Sequence, residues 1–77
     1  MKLIKRSLRI SGHRTSVALE PEFWAAVDFI ASVRGVSVPT LIAMVDQTRV
    51  KDNQSLASAL RVQALIFAQD NSKARAA

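Results

Sequence analysis

The stretch Arg14-Thr15-Ser16-Val17-Ala18-Leu19 alternates in character and runs directly into Glu20-Pro21-Glu22, which reads as a helix start. Successive side chains of a strand point to opposite faces, so Val17, Leu19 and the half-apolar Thr15 share one face while Arg14, Ser16 and Ala18 share the other. One face suits a core, and the other is free to touch something else. The chain beyond it reads as helix, a Gly-containing corner and more helix, which leaves this strand without a partner of its own. A bare strand edge is a template for another strand, so the sequence asks for a second copy of itself.

At 77 residues the chain is expected to be one domain, 1–77, near the lower limit of what a single core can stabilise. Apolar residues make up 49% of it and cysteine is absent, which argues against disorder and removes disulfides as a staple. The single histidine and the scattered carboxylates offer no metal site and no acid/base pair, so neither a metal, a cofactor nor enzyme activity is expected. The N-terminal residues contain no apolar run long enough for a signal peptide or a membrane span. The expectation is therefore a soluble, cytoplasmic, nucleoid-associated protein.

The formal net charge is +5, and its distribution says more than its total. Lys2, Lys5, Arg6, Arg9 and Arg14 lie in residues 1–19, which hold no Asp or Glu, while basic and acidic residues balance in 20–77. A basic arm, 1–13, running into a strand with a polar face is the electrostatic footprint of a protein that meets phosphates. Ser7 to Ile10 have an extended pattern, and Ser11-Gly12 is a turn signal.

Helices are expected at about 21–34, 38–50 and 56–69. Pro21 suits a first helical turn and Gly35 a left-handed C-terminus, while Ser37 and Ser55 read as N-caps of the next two helices. The first helix is apolar over most of its circumference, a second sign of a partner. Residues 70–77 are expected to form a frayed tail.

The order of strand, helix, Gly corner and Ser-capped helix resembles the ribbon-helix-helix DNA-binding proteins, the superfamily of Arc and MetJ. The residues carrying the resemblance are Arg14-x-Ser16-x-Ala18-Leu19, the apolar helix Phe23 to Ile30, and Arg34-Gly35-Val36-Ser37-Val38. More narrowly, the run from Gly12 to Trp24, with Ser55-Leu56-Ala57-Ser58-Ala59-Leu60-Arg61, is similar to a family of short, mostly uncharacterised bacterial proteins within that superfamily. The resemblance implies a mainly helical homodimer whose strands, about 14–19, pair antiparallel across a two-fold axis into a ribbon for the major groove. It assigns base reading to Arg14, Ser16 and Ala18. Ala18 departs from the usual polar residue and has only a methyl group for thymine.

The resemblance also implies a phosphate clamp at the start of the second helix, where free N–H groups and the helix dipole attract anions. Ser37, Val38 and Thr40 fall there, although Pro39 removes one donor. With Lys5, Arg6, Arg9 and His13 from the arm, they form the expected phosphate-binding set. The expected dimer core is Thr15, Val17, Leu19, Phe23, Val27, Ile30 and Ile42. Arg61 suits a neighbouring helix end or an acidic residue as well as it suits DNA.

The sequence thus points to a homodimer that binds double-stranded DNA sequence-specifically and regulates transcription, as a repressor or an activator, with higher-order assembly on DNA left open. The alternative from another class is a protein-interaction module, an antitoxin-like or adaptor dimer whose third helix and tail hold a partner.

Overall fold

The structure is a computed structural model and describes residues 2–76, without the side chains of 50–52 and 71–76. It comprises strand β1 (Ile4–Ile10), strand β2 (His13–Leu19) and helices α1 (Pro21–Arg34), α2 (Val38–Asp52) and α3 (Leu56–Ala76). The mainly helical ribbon-helix-helix class expected from sequence holds. What differs is the partner of the ribbon strand.

β2 is not alone in its chain, because residues 4–10 fold back on it as an antiparallel strand. The register pairs Ile4 with Leu19, Arg6 with Val17, Leu8 with Thr15 and Ile10 with His13 on one face. Lys5 with Ala18, Ser7 with Ser16, and Arg9 with Arg14 share the other. Ser11 and Gly12 make the turn at φ of 50° and 79°, the paired positive values of the two-residue turn whose twist matches a hairpin. The expected basic arm is therefore a strand and a turn. Arg6 obscured it in the sequence, since a charged residue occupies an inward position between Ile4 and Leu8.

The caps behave as their chemistry dictates. Gly35 takes the left-handed conformation after α1, and its N–H reaches the Ala31 and Ser32 carbonyls. The Ser37 hydroxyl accepts from the Thr40 N–H at 3.2 Å, and the Ser55 hydroxyl accepts from the Ser58 N–H at 3.1 Å. α2 runs to Asp52, two residues past the expected limit, and is capped by Asn53 at φ 55°. α3 continues to Ala76 instead of ending near 69. Residues 70–76 contain no Gly or Pro to stop it and include Ala74 and Ala76, the best helix formers.

The core joins the inward face of the hairpin to all three helices: Ile10, Val17, Leu19, Trp24, Val27, Ile30, Leu41, Ile42, Val45 and Leu60 are buried together. Leu19 and Ile42 are 0% exposed; removing a leucine side chain so completely from water contributes about 1.5–3 kcal/mol. The residues expected at a dimer core differ in their burial within one chain. Val17, Leu19, Val27, Ile30 and Ile42 are buried within one chain, and Thr15 and Phe23 are half-buried there. α1 nonetheless leaves Phe29 and Val33 more than half exposed, the edge of Phe29 meeting Phe67 of α3.

Candidate nucleic-acid interface

The two strands bring together side chains far apart in sequence. Lys5, Ser7 and Arg9 of β1 stand beside Ala18, Ser16 and Arg14 of β2, forming the outward face of the hairpin. All but the half-buried Ala18 are exposed, and the Ser7 and Ser16 hydroxyls approach to 3.4 Å. Arg9 lies directly opposite Arg14. Like charges at such a position oppose folding, and among the described residues no carboxylate pairs with Lys5, Arg9 or Arg14.

Carboxylates do pair with other arginines. Arg6 sits on the inward parity and forms a bidentate bridge to Asp28 of α1, at 2.8 and 3.1 Å. Its guanidinium carbon lies 4.2 Å from the centroid of the Trp24 ring, in cation–π range. The hydrogen bond from Arg6 holds the Asp28 carboxyl below its ordinary range, with a smaller opposing effect of desolvation, and raises the Arg6 pKa. Arg49 is bridged to Asp46 one turn away. Arg61 bonds Glu20 at 2.9 Å and reaches over the Phe23 ring, tying α3 to the start of α1. The Glu20 carboxyl is lowered chiefly by its backbone N–H, with Arg61 assisting.

The expected site residues therefore separate. Arg14, Ser16 and Ala18 share the outward face with Lys5 and Arg9. Arg6 is turned to the helices, and His13 is exposed at the turn end on the inward parity. Ser7 belongs to the outward face and is absent from the set expected from sequence, although the alternation of Lys5, Ser7 and Arg9 against Ile4, Leu8 and Ile10 contained the signal.

The first turn of α2 is more self-contained than the sequence suggested. Ser37 accepts the Thr40 N–H and donates to the Thr40 hydroxyl at 2.9 Å, while the Leu41 N–H bonds the Ser37 carbonyl. Pro39 has no N–H. What is left for an anion is the Val38 N–H and the Thr40 hydroxyl hydrogen, with Ser37 supporting the turn.

β2 also has a free edge. A two-residue turn closes on a pair that exchanges both main-chain bonds, and the pattern then alternates. Arg14, Ser16 and Ala18 accordingly direct their own peptide groups away from β1. Residues His13 to Ser16, from both faces of the strand, line a groove with Asp46 and Arg49 of α2 and Leu56 of α3. The groove thus follows a strand edge. Among the described residues no His, Asp or Glu side chains gather in a group of three or more able to hold a metal, and no single helix is long and apolar enough to cross a membrane.

No curated protein and no solved structure matches the chain. A family model described as a ribbon-helix-helix domain matches residues 3–67, spanning both strands, α1, α2 and most of α3. The chain belongs to the ribbon-helix-helix domain family, a DNA-binding fold.

Proposed function

We propose that this protein is a sequence-specific regulator of transcription that binds double-stranded DNA as a homodimer. The observation that carries the reading is the outward face of the hairpin. Three cations stand there with no carboxylate partner among the described residues, two of them opposed across the strands, while Arg6, Arg49 and Arg61 each have an acidic partner. Phosphates resolve that repulsion by neutralising it. In the dimer, the free edge of β2 pairs with the β2 of a second copy, and Arg14, Ser16 and Ala18 face the bases. Arg14 supplies a bidentate fork for guanine, Ser16 a hydroxyl usable by several bases, and Ala18 a methyl contact.

Lys5 and Arg9 serve phosphates in this reading. Val38 and Thr40 add a smaller anchor at the start of α2, and no metal, cofactor or catalytic step is required. The exposed Phe29 and Val33 support burial against the second copy. Selection of bound duplexes from random DNA tests the proposal. Enrichment of a symmetric site, protected by wild type and read less stringently by Arg14→Ala, is expected. Binding blind to sequence, or no binding, overturns it.

A second reading has its own observation. Phe23 and Ala26 of α1 face Val62, Leu65 and Ala68 of α3 across an open apolar groove, as a protein-interaction module would require. Loss of a protein partner on Leu65→Asp, with DNA binding unchanged or absent, would favour it.

A further inference from the structure

We infer that β1 is the phosphate-contacting flank of the DNA-binding sheet, and that Arg6 is a positioning residue that latches this flank to α1. The inference rests on the proposed DNA-binding dimer and adds how its charged strand is held.

The dimensions make β1 a flank. Pairing of two chains along the free β2 edges gives the order β1-β2-β2-β1, with neighbouring strands about 4.8 Å apart and the two outer strands about 14 Å apart. The major groove is only about 12 Å wide. The two inner strands fit between its walls, while the outer strands lie over the phosphate backbones. Lys5 and Arg9 are then on the DNA-facing side of the strands nearest the phosphates.

A flank strand needs an attachment besides its hairpin partner, since its other edge is bare. Ile10 anchors the turn end of β1 in the core, and three contacts hold the other end at one place. The Arg6 guanidinium bridges both oxygens of Asp28, it lies over the Trp24 ring, and the Trp24 indole N–H donates to the Ile4 carbonyl at 2.7 Å. Side chain and main chain of β1 are thus both tied to α1, on either side of Lys5. The basic residue that composition places among the phosphate ligands faces away from them and holds its neighbours in position.

The test compares wild type, Arg6→Gln and Asp28→Asn by DNA affinity at several salt concentrations and by acrylamide quenching of Trp24, the only tryptophan. Circular dichroism verifies that the helices are retained. If Arg6 is a latch, both variants lose affinity for all sequences, on the order of tenfold, and the slope of log affinity against log salt becomes shallower by up to about 0.9 for each phosphate no longer neutralised. Trp24 becomes more accessible in both. If Arg6 is instead a phosphate ligand, Asp28→Asn frees it and removes a negative charge, so DNA binding tightens, and the latch is overturned. Unchanged quenching in Arg6→Gln overturns it as well. A wild type that binds no DNA sinks the DNA-binding reading and the flank with it, while the quenching data still report whether Arg6 and Asp28 hold β1.

Discussion

Arg6 and Arg9 lie on the same strand three residues apart, yet belong to opposite worlds. Arg6 has a carboxylate, an aromatic ring and the body of α1 around it. Arg9 has another arginine opposite and, among the described residues, no carboxylate. Only strand parity separates them: an odd spacing reverses the face. The contrast extends to the whole hairpin, whose inward face ends in the fully buried Leu19 and whose outward face carries Lys5, Ser7, Arg9, Arg14 and Ser16 exposed. Charge locates the interface only after the register is known.

The largest test of that contrast is removal of residues 1–9. If β1 were a solubilising tail, the truncated chain would melt like wild type. Because β1 supplies the partner of β2 and the acceptor for the Trp24 indole, its loss is expected to abolish cooperative melting at the wild-type temperature. On the inward face, Leu19→Ala should cost about 2–5 kcal/mol, as in other large-to-small core changes. For a domain of this size that lowers Tm by roughly 10–30 °C. A Leu19→Ala protein of wild-type Tm would mean that the hairpin is packed the other way round.

Changes on the outward face should do the reverse. Arg14→Ala removes one of two facing cations, so Tm should hold or rise slightly, while affinity for a selected site falls by about 1–3 kcal/mol with preference relaxed at one position in each half-site. Melting and competitive binding on the same variant check both halves. An unfolded Arg14→Ala protein would assign this side chain to the core and invert the register.

The helix starts and the end of α1 were legible in the sequence because they carry local chemistry. Pro21, Gly35, Ser37 and Ser55 each act within a turn of their own position, and α1 occupies the expected Pro21–Arg34. β1 was harder to read for a physical reason. Its inward pattern of Ile4, Leu8 and Ile10 is interrupted by Arg6, whose position is justified only by Asp28 and Trp24, about twenty residues away. No local rule foresees such a contact. The start of α2 illustrates the same limit: Ser37 was legible as a cap, but not that capping would occupy both its own hydroxyl and the Thr40 N–H.

The smallest expected effect separates the two arginines by pH. The Asp28 carboxyl is held below its ordinary range, first by the hydrogen bond from Arg6. A carboxylate with a depressed folded-state pKa adds stability above its unfolded value, and that stability is lost as pH falls through the folded value. The Arg6–Asp28 bridge should therefore be intact from pH 7 to 5 and weaken only in more acidic solution. Both side chains are more than a third exposed, at 37% and 49%, so solvent screening keeps the contribution small. Trp24 emission is the sensitive readout, since Arg6 lies on its ring. In wild type it should be flat to pH 5 and respond below the ordinary carboxylate range. Asp28→Asn should lack that step, although other carboxylates, Glu20 among them, still titrate. A Trp24 transition between pH 7 and 5, or an acid step unchanged in Asp28→Asn, would show that something other than this bridge governs the β1 contact.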